Sequence, residues 1–102
     1  MGMFFEWHPK KAADNLKKHG IEFEEAKTVF TDPYALVFPD EAHSEDETRE
    51  IVVGYSNKNR LLLVNFVERV YHVIRLISAR RATQLERQDY EENAQNQNPH
   101  RE

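Results

Sequence analysis

Residues 70–81, Val-Tyr-His-Val-Ile-Arg-Leu-Ile-Ser-Ala-Arg-Arg, place the strongest constraint on how this chain folds. At period 2, Val70, His72, Ile74, Leu76, Ser78 and Arg80 point one way, and Tyr71, Val73, Arg75, Ile77, Ala79 and Arg81 the other. Both sets are mainly apolar and rich in β-branched residues, which is the pattern of a central strand covered on both faces. Arg75 interrupts it. A guanidinium keeps its charge and is almost never fully buried alone, so Arg75 must meet a carboxylate, an opening to water or an anion. Glu50 and Glu68, on neighbouring strand segments, are the carboxylates within the pattern's reach.

The rest of the chain supplies partners for that strand. Met3 to Trp7 reads as a short strand with Met3, Phe5 and Trp7 on one side. Pro9 then opens a helix with His8 at its N-cap, and Gly20 stops it. A second helix spans about 22–30, with Phe23, Ala26, Val29 and Phe30 on one face, and Asp32-Pro33 ends it. So short a link between helices predicts an antiparallel helical hairpin. Strand signals follow at 34–38, 49–55 and 60–67, the last two flanking the turn 56–59. Residues 40–50, acidic and without apolar period, read as an exposed loop. Thr83 and Glu86 form a capping box for a last helix reaching about Asn93, and 94–102 reads as a polar, disordered tail. The order β-α-α-β-β-β-β-α predicts a single α+β domain over 1–93: an antiparallel sheet, the hairpin on one face, and the other face partly open.

Composition narrows the chemistry. The chain has no cysteine, which removes disulfides, thiolate metal sites and cysteine nucleophiles together. It lacks a leader-like start and any apolar run near the roughly 18 residues of a membrane helix, so a cytoplasmic protein is expected. Charge is divided: residues 1–57 hold 6 Lys/Arg against 12 Asp/Glu, whereas 58–87 hold 7 against 2, six of the seven being arginine. Such asymmetry suits a polyanionic partner, and it equally suits an acidic half folded against a basic one.

A set of short motifs resembles one family. Phe5-Glu6-Trp7, residues 15–20 (Asn-Leu-Lys-Lys-His-Gly), 23–26 (Phe-Glu-Glu-Ala), 29–33 (Val-Phe-Thr-Asp-Pro), 43–45, 47–49, Glu68-Arg69 and 75–82 resemble the BrnT-type toxins, in family order across about residues 4–92. The resemblance implies a RelE-like ribonuclease fold and an endoribonuclease toxin of a type II toxin–antitoxin pair that cleaves mRNA and lowers translation. It also implies a BrnA-type ribbon-helix-helix antitoxin, a heterotetramer of two toxins and two antitoxins, and operon repression through that antitoxin's DNA binding. His8 stands where the family often carries Asp, and Glu22 where it often carries Ser or Thr. The turn after Arg69 also has less glycine than is usual.

Metal-independent RNA cleavage, by attack of the 2′-hydroxyl on its own phosphate, needs a base, an acid and positive charge on the phosphate. Arginine serves the last role. The expected catalytic set is Arg75 and Arg80 on the phosphate, with Glu68 and His19 as proton-transfer candidates beside His43 and His72. Arg49, Arg69, Arg81, Lys17 and Lys18 are expected to contact RNA, with Lys10 and Lys11 extending the track, and neither metal nor cofactor is expected. Each assignment has a structural alternative: Arg75 paired with Glu50 or Glu68, Arg80 and Arg81 bridged to the helix that follows, His19 serving the helix C-terminus, His72 packed or at the rim, Glu68 a turn residue, and the lysines a solvated face. A metal site of Asp40, His43 and Glu45 has no element to fix its geometry. A non-catalytic binding module, or an inactive relative, is the competing function.

Overall fold

The computed structural model describes residues 2–43 and 48–96, the Tyr71 side chain apart. Its elements are β1 (Phe4–Glu6), α1 (Pro9–His19), α2 (Phe23–Ala26), β2 (Leu36–Pro39), β3 (Glu50–Tyr55), β4 (Leu61–Glu68), β5 (Val73–Arg81) and α3 (Gln84–Asn96). The α+β order matches the expectation, and β2 to β5 form the antiparallel meander. The sheet as a whole is mixed, because β1 adds to β5 in parallel and gives the order β1-β5-β4-β3-β2. Neither strand signals its partner in sequence.

α1 begins and ends as its residues dictate. His8 Nδ1 accepts the Lys10 N–H at 3.1 Å, Pro9 occupies the first turn, and Gly20 at φ 71° returns its N–H to the Leu16 carbonyl at 2.8 Å. The second helix is shorter than its apolar spacing predicts. After Ala26 the chain tightens into a 3₁₀ segment, Lys27–Thr31. The hydroxyls of Thr28 and Thr31 donate to the carbonyls three residues back, Glu25 and Thr28, at 2.6 and 2.7 Å. That competition favours the tighter winding. The helical side of the sheet buries Ile21, Phe23, Ala26 and Val29 against Val52, Leu62, Val64, Phe66, Ile74, Leu76 and Ala79.

The opposite face is capped at one end by α3. Tyr90, Val53, Leu61 and Leu63 form a second core there, with Ala94 packed on it. Tyr90 donates to Asp32 at 2.6 Å, and the same carboxylate oxygen accepts the Tyr55 N–H at 2.8 Å. Burial pushes the Tyr90 phenol far above its ordinary range, and the Asp32 carboxylate adds to the shift. α3 therefore continues through Asn96, and 94–96 is helix rather than tail; 97–102 lies outside the described residues. Residues 40–43, read as part of an exposed loop, hold more structure than their polarity suggests. Asp40 is buried and a 3₁₀ turn spans Glu41–His43, whereas 44–47 lies outside the described residues.

The expected strand over 70–81 changes in two ways. Its first three residues form a 3₁₀ turn, Val70–His72, in which His72 takes φ 66°, so His72 is an exposed residue of a turn and lies outside the strand. Farther along, Asn65 pairs with Ser78 but Phe66 pairs with Leu76, so Ile77 is an extra residue in a β-bulge. The bulge reverses the alternation. Ile74, Leu76 and Ala79 all join the core beneath the helices. Arg75, Ser78 and Arg80 share the other face, opposite Val67, Asn65 and Leu63.

Candidate phosphate-binding cleft

β1 is short, but its register fixes the site. Glu6 pairs with Arg75 across the parallel ladder, and Arg75 Nε donates to Glu6 Oε2 at 3.0 Å. Arg75 thus finds its carboxylate on β1, not on the strands that carry Glu50 and Glu68. Arg69 Nε lies 3.7 Å from the same Glu6 oxygen. Trp7, pointing the other way, packs edge-on against Phe23 with ring centroids 5.8 Å apart. The Arg75 and Glu6 side chains stay 42% and 43% exposed, so the pair meets both a carboxylate and solvent.

Beyond the end of β1 the chain turns into α1, and a cleft of about 390 Å³ opens between α1 and β5. Arg75 of β5, Arg49 just before β3 and Lys11 of α1 line it together with Glu6, Trp7, His8 and the bulged Ile77. Three cations thus face one carboxylate. The first turn of α1 holds no acidic residue, so the positive end of the helix dipole adds to the field. Because His8 uses Nδ1 to accept the Lys10 N–H, the capping ring carries its hydrogen on Nε2 and offers a donor. An adjoining depression of about 220 Å³ shares Lys11 and Ile77 and is lined further by Asp14, Asn15, Lys18, His19 and Ser78. Together they form a cationic groove along α1 suited to a chain of phosphates.

Two polar linkages, one buried and one partly buried, hold this groove. Asn15 is buried; its Nδ2 donates to the carbonyls of Ile21 and Ala79, and its Oδ1 accepts the Ala79 N–H, all at 2.9 Å. This ties α1 to β5 just past the bulge. On the Arg75 face, Ser78 donates to Asn65 at 3.0 Å and Asn65 to the buried Asp40 at 2.9 Å. His43 Nδ1 sits 3.2 Å from both Asp40 oxygens, and Glu45 lies outside the described residues. Among the described residues no three His, Asp or Glu are placed to hold a metal ion.

The residues singled out in the sequence therefore separate. Arg75 and Arg49 line the cleft, Arg69 flanks it through Glu6, and His19 and Lys18 line the adjoining depression. Lys17 is exposed on the last turn of α1. Glu68 pairs with Ile74 and so faces away from Arg75. Arg80 shares the Arg75 face but gives both terminal nitrogens to Glu86, at 3.0 and 2.9 Å. That hydrogen bonding raises the Arg80 pKa and lowers that of Glu86. Glu86 also accepts the Thr83 N–H at 2.8 Å, so Arg80 braces the capping box that starts α3. Arg81, paired with Leu62, is exposed on the helix side.

Glu6 and His8 are the lining residues that sequence reasoning did not select. A signal existed in their spacing, since two residues flanking an inward Trp7 share one face of extended chain. What was lacking was the knowledge that this face meets Arg75.

A family model described as the ribonuclease toxin BrnT of type II toxin–antitoxin systems matches residues 7–86. The crystal structure of the Brucella abortus ribonuclease toxin BrnT is similar to this fold, with a TM-score of 0.63 and 26% sequence identity over 81% of this chain and 100% of that one. No curated protein matches the chain.

Proposed function

The chain belongs to the family of BrnT ribonuclease toxins of type II toxin–antitoxin systems, and on that premise we propose that the cleft beside α1 is a metal-independent endoribonuclease site. Arg75 and Arg49 hold the scissile phosphate of an mRNA, and Lys11 adds charge at its edge. Lys17, Lys18 and His19 extend the track along α1 toward the neighbouring phosphates. Arg69 acts indirectly, through Glu6. The observation that carries this reading is the convergence of Arg49, Arg75 and Lys11, from three separate stretches of the chain, on one open cleft. Charge placed where the phosphorane develops is the largest single contribution available to such a reaction.

The same reading makes the fold RelE-like and the site of action the cytoplasm. Among the described residues no helix is long and apolar enough to cross a membrane. The neutralising partner is a BrnA-type antitoxin, assembled as two toxins with two antitoxins, which represses the operon through its ribbon-helix-helix domain. Cleavage of a short oligoribonucleotide in the presence of EDTA tests the reading. Wild-type protein cleaves, and Arg75→Ala and Arg49→Ala lose at least tenfold in kcat/KM while keeping their circular dichroism. Activity abolished by EDTA, or unchanged in both variants, contradicts it. RNA bound but never cleaved supports the binding-module alternative.

A further inference from the structure

The cationic cleft accounts for the phosphate and leaves open which group takes the proton from the attacking 2′-hydroxyl. We propose that Glu6 is that general base, an assignment that rests on the ribonuclease reading above. Three observations lead to it.

First, the other candidates are misplaced or occupied. Glu68 lies on the opposite face of the sheet, and His19 lies in the neighbouring depression. His8 is in the cleft, but its Nδ1 lone pair accepts the Lys10 N–H, so its second ring nitrogen carries a hydrogen and accepts nothing. Second, Glu6 has one oxygen to spare. The contacts of Arg75 and Arg69 both fall on Oε2, leaving Oε1 without a partner among the described residues. Third, Arg75 reaches Glu6 through Nε, and its two terminal nitrogens have no partner among the described residues. One rigid guanidinium therefore holds the carboxylate on one edge and presents two parallel donors to a phosphate on another. Base and phosphate are set side by side by a planar group rather than by a flexible chain, which is the arrangement proximity catalysis requires.

The step balances without any further reagent. Glu6 Oε1 takes the 2′-hydroxyl proton as O2′ bonds to phosphorus, and the P–O5′ bond breaks. The departing O5′ takes a proton from water, and Glu6 later returns its own to solvent. The products are a 2′,3′-cyclic phosphate and a 5′-hydroxyl.

The alternative role for Glu6 is a counter-ion that only tempers Arg75. Kinetics of Glu6→Gln and Glu6→Asp on an oligoribonucleotide, measured across pH with product ends identified, separate the two. Gln keeps an oxygen for Arg75 Nε, so the site stays assembled while the proton acceptor is gone. A base predicts that Glu6→Gln lowers kcat by about 10²–10³-fold, leaves KM within about threefold, and abolishes the acidic limb of the rate profile. Glu6→Asp, which retains a carboxylate, keeps the limb and recovers part of the rate. The assignment is overturned if Glu6→Gln keeps its kcat and limb, or if it binds RNA more tightly with cleavage undiminished, as freeing Arg75 from a counter-ion would do. The two levels fail separately: uncleaved RNA with wild-type protein, or full activity in Arg75→Ala, removes the ribonuclease site itself.

Discussion

Asn15 offers a sharp test of how the groove is built. Its amide makes three buried hydrogen bonds of 2.9 Å, two donated to carbonyls and one accepted from the Ala79 N–H. Asn15→Ala removes all three, and at about 1 kcal/mol per bond the loss is roughly 3 kcal/mol. For a domain of this size 1 kcal/mol moves Tm by roughly 4–8 °C, so Tm should fall by more than about 10 °C. Asn15→Asp is more informative because it changes almost no volume. It keeps the bond from Ala79 N–H but turns a carboxylate oxygen toward two carbonyl oxygens, in a side chain only 6% exposed. Burial and the facing carbonyls both disfavour the charged form, raising the folded pKa of the introduced acid. Its penalty is therefore small at low pH, where the protonated acid still donates to one carbonyl, and grows as pH rises through the carboxylate range. Urea unfolding followed by circular dichroism at pH 4 and pH 7 reads both effects. A loss below about 0.5 kcal/mol at pH 7, or one that does not grow with pH, refutes the role given to Asn15.

Three further outcomes follow from the same contacts. Tyr90→Phe removes the 2.6 Å bond to Asp32 and should cost about 1–2 kcal/mol, with hydrogen exchange faster in α3 and unchanged in α1. Arg80→Ala releases the brace on the α3 capping box, so it should lower Tm while leaving the KM for RNA within about twofold, as thermal melts and steady-state kinetics would show. Glu25 is buried and accepts from Arg60 Nε at 2.9 Å and Ser56 at 2.6 Å; the Arg60 bond chiefly holds its carboxyl below the ordinary value of 4.5. A carboxyl with a depressed folded pKa contributes stability above its unfolded value, and that contribution is lost as pH falls through the folded value. Glu25→Gln should accordingly be less stable at pH 7 but flatten the acid side of the Tm-against-pH curve.

Much of this fold was legible because local chemistry and packing agree. Pro9 and Gly20 bound α1, Thr83 and Glu86 start α3, and the alternation of β4 survives intact from Leu61 to Val67. The sequence also singled out Arg75 correctly as a residue in need of a partner. It hid which partner, because the parallel pairing of β1 with β5 joins residues 69 positions apart and leaves no local trace. The bulge at Ile77 was equally silent. Strict alternation set Arg75 and Arg80 on opposite faces, whereas one extra residue brings them to the same one. Arg80 turned to Glu86, six residues on, which is the bridge to the following helix that its place at the strand end allowed as an alternative to contact with phosphate. His8, read as a cap, is a cap; its place in the cleft came only with the fold.

On the proposed function, RNA lies in the cleft between α1 and β5 with its phosphate on Arg75. Titrating isotopically labelled protein with a 2′-O-methyl oligoribonucleotide, which lacks the attacking hydroxyl, and following backbone amide and arginine Nε–H resonances tests it most directly. The largest shifts are expected at Glu6–His8, Lys11, Arg49 and the Arg75 side chain, reduced in Arg75→Ala. Shifts centred instead on Arg80, Arg81 and α3, with the Arg75 Nε–H unmoved, would contradict it.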